Sequence, residues 1–172
     1  MNVASVMAEI LLGLGSNIDR EHHLRAGIQA LGERFGALQL SPVFESASVG
    51  FNGSPFFNLV VCLTTTLGVG ELQRVLREVE YAQGRHPEQR KFSPRTLDID
   101  ILTYDDRVGI FDGVHLPRAE ILENAYVLWP LACLVPNHLH PLAQRSYADL
   151  WSHYTGAQKI QRVDVPLFPA PN

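Results

Sequence analysis

The chain is short of the features that assign a protein to an oxidising compartment, a membrane or a polyanion. It has two cysteines, Cys62 and Cys133, in 172 residues. Both stand inside apolar runs and read as buried free thiols, not as a disulfide or half of a metal site, which fits a reducing cytoplasm. Basic charge is not in excess: 14 lysines and arginines face 18 acids, for a net charge of −4. A nucleic acid is therefore not expected as the main partner. No apolar run approaches the roughly 18 residues of a membrane span. The N-terminus, M-N-V-A-S-V-M-A-E, carries no basic region ahead of an apolar core, so neither a membrane association nor a signal peptide is expected. Repeats, low-complexity tracts and heptads are missing too, and a monomer is the expectation. What remains, 46% hydrophobic and 19% charged residues, suits one domain over residues 1–172 with a real core. Loose termini are expected at 1–8 and 166–172.

The chemistry concentrates in F-S-P-R-T-L-D-I-D-I-L-T-Y, Phe92 to Tyr104. Strict alternation turns Leu97, Ile99 and Ile101 to one side of a strand and Asp98 and Asp100 to the other. Two carboxylates one pleat apart repel, and one tends to stay protonated. A shared divalent cation removes the conflict, and such hard oxygen ligands suit Mg²⁺. Taken alone, Asp-x-Asp is equally a half-solvated edge strand with two surface acids. Arg95, with a planar fork suited to phosphate, lies just before the strand. Together the acids and the arginine point to phosphoryl transfer.

Elsewhere, Ile10–Gly15 reads as a buried strand. Gly13 and Gly15 lack the rest of a phosphate loop, so they read as small residues that let the backbone turn or another element approach. A helix from Arg20 to Phe35 carries Leu24, Ile28, Leu31 and Phe35 on one stripe, with Asn17 or Asp19 as its cap and Gly36 as its stop. A strand over Leu38–Ala47 follows, with Pro42 early in it. The loop V-G-F-N-G-S-P-F-F-N holds Phe51, Phe56 and Phe57, either as anchors to the core or as an aromatic wall for a flat ligand; on the residues alone the anchor reading leads. Asn58 offers a donor and an acceptor to a heterocycle, or marks a turn into the strand Leu59–Thr66. A second helix over Gly70–Gln83 turns Leu72, Val75, Leu76, Val79 and Ala82 inward and leaves its acids wet. Arg85, Arg90 and Lys91 then stand in a polar segment, either a solvated loop or a basic lid over polyphosphate. A hairpin near Val108–Phe111 and a helix over Glu120–Val135, broken or kinked at Pro130, precede a turn at His138-Leu-His140-Pro and a short helix at Ala148–Tyr154. The order β-α-β-β-α-β gives an α+β fold class: a ferredoxin-like split βαβ antiparallel sheet with helices on one face, plus an added hairpin and C-terminal helices.

The chain resembles the 6-hydroxymethyl-7,8-dihydropterin pyrophosphokinases of folate biosynthesis. The resemblance runs from G-L-G-S-N at Gly13–Asn17 to L-W-P-L at Leu128–Leu131 and is most specific in P-R-T-L-D-I-D-I-L. Val49-Gly50, F-F-N at 56–58 and E-x-x-x-G-R at Glu80–Arg85 support it. It implies an enzyme that transfers the terminal diphosphate of ATP to the pterin's hydroxymethyl oxygen and releases AMP. Asp98 and Asp100 would hold two Mg²⁺ ions, and Arg85 and Arg95 would neutralise phosphate oxygens as catalytic groups. The pterin would lie between Phe56 and Tyr126, with Asn58 on its pyrimidine edge and backbone groups of Ser46, Ala47 and Val49 beside it; this assigns Phe56 to the wall. ATP would meet Arg77, Glu80, Phe92, Arg95, Ile101 and Arg118.

Several positions depart from the family pattern. Phe92 stands for a tryptophan, Ser93 for a glycine, and Pro87, Gly113 and Asn124 for arginines. Arg118 stands for a histidine and is a candidate replacement for a lost cation. The metal and pterin positions are kept while the nucleotide positions vary, so the alternative to an active enzyme is a divergent paralogue that binds pterin with low activity or uses a different pterin or phosphate donor. A non-enzymatic binding module, for RNA for instance, is the remote third; the acidic balance speaks against it.

Overall fold

The computed structural model describes residues 6–46, 54–84 and 96–167. Its elements are β1 (Ala8–Ser16), α1 (Arg20–Phe35), β2 (Gln39–Leu40), β3 (Val43–Ser46), β4 (Phe56–Thr65), α2 (Val69–Ala82), β5 (Asp98–Tyr104), β6 (Gly109–Phe111), β7 (Val114–Leu116), α3 (Glu120–Glu123), α4 (Ala125–Leu134), α5 (Tyr147–Ser152) and β8 (Ile160–Val163). The main sheet runs β5-β1-β4-β3-β8, with β2 also on β4, and the strand pairs are antiparallel. This is the split βαβ order that the alternation of strand and helix patterns predicts.

Central β1 and β4 are apolar on both faces, and both faces are covered. On the first, Ile10, Leu12, Leu14, Leu59, Val61, Ile99 and Ile101 pack with Leu24, Ile28 and Leu31 of α1 and Leu72 and Leu76 of α2. Helices on one face only is therefore too simple. Leu11, Val60, Cys62 and Leu102 emerge on the second face and pack against Ile121, Val127, Leu128, Leu131 and Tyr147 from the C-terminal helices. Bare, that face would expose a long apolar strip to water.

Several boundaries differ from the sequence reading, each for a local reason. The strand over Leu38–Ala47 is two strands. The chain breaks at Ser41-Pro42, where Ser41 Oγ accepts from Val60 N at 2.8 Å and Ser41 N donates to Val60 O at 2.9 Å. α1 has its expected ends, and Gly36 closes it at φ 83°. Asp19 precedes it at φ 44° and gives no side-chain cap, because that left-handed backbone is not the extended one from which a cap side chain reaches N–H groups. On α2, Ala82 is exposed and Glu80 is fully buried. The last long helix breaks at Asn124, not at Pro130. Asn124 is extended (φ −116°, ψ 122°), α4 restarts after it, and Pro130 sits within α4. Cys133 is exposed and only Cys62 is buried, since Cys133 falls on the outer side of α4.

The ends of the described chain are better held than expected. Ala8 opens β1 and is buried. β8, which the sequence reading lacks, pairs Val163 with Val43 and Ile160 with Ser46. Its four residues, I-Q-R-V, are too short and too polar for a pattern argument. Beyond it, Pro166 O accepts from Arg25 at 2.8 and 2.6 Å, and Leu167 is buried. The β6–β7 hairpin is tied to the start of α2 by Asp112 Oδ2, which accepts from Gly70 N at 3.0 Å.

The H-L-H-P turn is structural. His140 is 1% exposed, and its Nδ1 accepts from Leu142 N at 3.1 Å and Ala143 N at 3.0 Å. Those bonds need the neutral ring, and burial lowers its pKa below the usual 6.5. A folded value below the unfolded one means that this stabilisation is complete above about pH 6.5 and is lost as pH falls through the folded value. Thermal melts of the wild type and His140→Asn should therefore differ more at pH 8 than at pH 5. A gap that does not change with pH would remove the neutral ring from the stability of this turn.

Candidate active site

The site is built from the strand register. Asp98 stands opposite Gly15, and Gly15 opposite Asn58; Asp100 stands opposite Gly13. Asn58 in turn pairs with Phe44, and Phe56 with Ser46. Residues opposite each other share a face, so the acid pair, both glycines, Phe56, Asn58 and Ser46 all lie on the second face. Leu97, Ile99 and Ile101 are buried on the first, which is the alternation expected of this strand. β5 is an edge strand, as the plain reading of Asp-x-Asp also has it, and its acids stand beside two glycines of β1.

The glycines leave room for neighbouring side chains to lie over β1. A Cβ at Gly15 would come 2.9 Å from Asn58 Oδ1 and 3.7 Å from the Phe56 ring, and one at Gly13 would touch Leu102 at 3.4 Å. The close approach anticipated for these small residues is by the Asn58 amide and the Leu102 side chain. Asn58 is fixed from the other side: its Nδ2 donates to Ser46 Oγ at 2.8 Å, with both residues buried. Phe57 points the opposite way from Phe56 and packs with the first core. Arg20 lies 3.6 Å over its ring and holds Glu45 at 2.8 Å and Pro55 O at 3.0 Å. The anchor role anticipated in the aromatic loop thus belongs to Phe57. Arg20 ties together the strand ends that carry Ser46 and Phe56, a role with no signal in the sequence.

The acids are crowded. Burial, and then the charge of Asp98, push the Asp100 carboxyl up to about 7, against the pull of Arg118. Arg118 Nη1 is 3.8 Å from Asp100 Oδ1, and its Nε donates to Glu120 at 3.1 Å. This is the cation anticipated as a replacement, seated beside the acid pair. Glu80 is buried behind the strand. Its Oε2 accepts from Ile99 N, between the two aspartates, at 2.8 Å, and its Oε1 accepts from Arg77 at 2.5 Å. Burial raises its pKa, opposed by the bonds from Arg77 and Ile99. Expected at the nucleotide, its carboxylate instead turns inward because the edge donor Ile99 N–H needs an acceptor. Ile101, expected there too, has its side chain in the core. Arg77 keeps 30% of its side chain exposed.

Tyr126, at the start of α4, is half-buried, and burial raises its hydroxyl pKa, with Glu120, Asp100 and Asp98 adding to the rise. Its hydroxyl accepts from Asn124 Nδ2 at 2.9 Å. Ala47, Val49, Phe51, Arg85, Pro87, Arg90, Lys91, Phe92, Ser93 and Arg95 lie outside the described residues. Among the described residues no group of three or more His, Cys, Asp and Glu is placed to hold a metal. Two carboxylates with spare negative charge still match Mg²⁺, which commonly takes one or two protein carboxylates and fills its shell with water and phosphate oxygens.

The family model for 7,8-dihydro-6-hydroxymethylpterin-pyrophosphokinase matches residues 11–136. The chain belongs to that family. It is 36% identical over 141 residues to the 2-amino-4-hydroxy-6-hydroxymethyldihydropteridine pyrophosphokinase of Aquifex aeolicus, covering 81% of this chain and 88% of that one. To the enzyme of the same name from Bacillus subtilis it is 33% identical over 125 residues, 70% of this chain and 74% of the other. The crystal structure of Plasmodium falciparum HPPK-DHPS with pteroate has the same fold, with a TM-score of 0.71 at 12% identity over 90% of this chain. This chain spans 43% of that fused protein. A pyrophosphokinase of this family takes ATP as co-substrate, which excludes the non-enzymatic module. The family match ends at Pro136, ahead of α5 and β8. Among the described residues no helix is long and apolar enough to cross a membrane.

Proposed function

We propose that the chain transfers diphosphate from ATP to the hydroxymethyl group of 6-hydroxymethyl-7,8-dihydropterin, releasing AMP, and that the second face of the sheet is where it does so. The observation that carries this reading is the row Asp98–Gly15–Asn58. The backbones that carry Asp98 and Asn58 are two strand spacings apart, about 10 Å, and Gly15 between them has no side chain, so the Asn58 amide and the Phe56 ring reach over it toward the acids. A flat heterocycle bound at that amide and ring presents a one-carbon arm toward the acids.

Asn58, oriented by Ser46, recognises the pyrimidine edge with one donor and one acceptor, and backbone groups at Ser46, Ala47 and Val49 line the same edge. Phe56 and Tyr126 face the flat ring. Asp98 and Asp100 hold two Mg²⁺ ions, which when bound neutralise charge on the phosphate oxygens. A carboxylate beside the substrate hydroxyl eases its deprotonation as its oxygen attacks the β-phosphorus, and the oxygen between the α- and β-phosphates leaves with AMP. Arg118 turns from Asp100 to the polyphosphate, joined by Arg85 and Arg95, while Arg77 and Phe92 border the nucleotide.

The deciding experiment is AMP release with ATP, Mg²⁺ and the hydroxymethyl dihydropterin, with pterin binding measured in parallel. Pterin-dependent AMP release is expected, and Asn58→Leu should raise KM for the pterin by more than tenfold with little change in KM for ATP, because a polar edge left unpaired is strongly rejected. Pterin binding without AMP release would replace the active enzyme with a low-activity paralogue. No binding by folded protein would end the functional reading.

A further inference from the structure

The break at Asn124 opens the helical backbone between α3 and α4, and a segment from beyond the family match fills it. Residues 153–159, after α5, cross this junction. Tyr154 Oη donates to Glu123 O at 2.8 Å, and Gln158 Oε1 accepts from Ala125 N at 2.6 Å. These are a carbonyl at the end of α3 and an N–H at the start of α4, groups that helix ends leave without intrahelical partners. Gln158 uses its other atom as well: Nε2 donates to Asn124 Oδ1 at 2.9 Å. Asn124 then donates from Nδ2 to Tyr126 Oη at 2.9 Å. Each amide spends its acceptor and its donor on different neighbours, so the bonds run in one direction from Gln158 to the tyrosine hydroxyl. With Asn124 Nδ2 as donor, the Tyr126 hydroxyl accepts there and keeps its own proton for another partner.

We propose that Gln158 is a positioning residue for the reaction: through Asn124 it fixes the rotamer of Tyr126, and so the lid of the pterin pocket beside the acid pair. The inference rests on the reading of Tyr126 as a wall of that pocket. It also gives Asn124 a use in this chain, since its amide is the middle of the relay. A ring held at its hydroxyl as well as at its Cβ meets a flat ligand already ordered, and pre-ordering appears as affinity. The relay should therefore act on KM for the pterin and leave kcat and the ATP site alone.

The test is a double-mutant cycle on the full chain. Gln158→Met keeps the bulk and removes both amide bonds; Tyr126→Phe keeps the ring and removes the hydroxyl. Each is read for pterin Kd by calorimetry with 6-hydroxymethylpterin, for kcat and both KM values, and for Tm. Gln158→Met is expected to weaken pterin about tenfold, which is about 1.4 kcal/mol. Tyr126→Phe should weaken it similarly, and the double variant should be no worse than the poorer single one, since both cut one relay. In Gln158→Met, ATP affinity and kcat should stay within about twofold of the wild type. A lower Tm with unchanged pterin affinity in Gln158→Met would reduce the residue to a helix-junction staple and overturn the proposal, as would fully additive losses. Wild-type protein that binds no pterin would instead overturn the functional reading beneath it.

Discussion

Asp100→Ala is expected to cut turnover at saturating substrates by about 10³-fold or more, while the protein stays folded. The estimate follows from the kind of contribution removed: charge stabilisation worth several kcal/mol in the transition state, at one power of ten per 1.36 kcal/mol. Asp98→Ala should be comparable, and the double variant little worse, because the pair acts as a unit. The same acids give a second readout without substrate. Asp100's carboxyl is raised from 3.8 to about 7, first by burial and then by Asp98. A raised folded value means that its favourable contribution to stability is complete below about pH 4 and is lost as pH climbs through about 7. Without divalent cations, Asp100→Asn should therefore be more stable than the wild type at pH 8 and lose that advantage toward pH 5. Mg²⁺ should raise the Tm of the wild type at pH 8 and barely move that of Asp100→Asn. Equal Mg²⁺ responses in the two proteins would show that Asp100 is not a metal ligand.

Glu80→Ala should be the most destabilising single change near the site. It strands Ile99 N–H on a buried strand edge and removes the carboxylate to which Arg77 donates. Orphaned buried donors cost about 1–3 kcal/mol each. Arg77 is part-exposed, so only a fraction of a broken-ion-pair cost applies. About 3 kcal/mol in total lowers the Tm of a chain this size by about 6–12 °C. Turnover should fall at least tenfold besides, because the freed peptide is the one between Asp98 and Asp100, and small displacements of catalytic groups carry such losses. Glu80→Gln keeps an acceptor for Ile99 N and should recover most of the Tm. If Glu80→Ala melted within about 2 °C of the wild type, the clamp would not hold the strand.

The parts of this site that were legible in the sequence are those where periodicity and chemistry coincide. Asp98 and Asp100 could be assigned to one face because Leu97, Ile99 and Ile101 filled the other. Asn58 stood out as a polar residue entering a β-prone run. Glu80 shows the opposite case: on a helix full of acids it looked solvated, and only the edge geometry of β5 explains its burial. The second layer of helices was misjudged because Leu11, Val60, Cys62 and Leu102 are scattered among strands and signal their shared face only once the register is known. The break at Asn124 was assigned to Pro130, the stronger local breaker; α4 tolerates the proline, and the extended backbone falls at Asn124. Arg20 and Gln158 act over long sequence separations through carbonyls and amides, which no pattern in a single sequence encodes.

The sheet's two margins differ. One is β8, a strand of four residues that carries the polar Gln161 and Arg162. The other is β5, where a carboxylate from a helix is bonded to the edge peptide at Ile99. A short polar edge and an occupied edge donor each make it harder for a second chain to add a strand. The β5 margin has the larger consequence, because the peptide that would recruit a foreign strand lies between the two reactive acids. The contact that shapes catalysis is thus also a guard against self-assembly, and any change that loosens Glu80 invites aggregation at the point where the chemistry is lost.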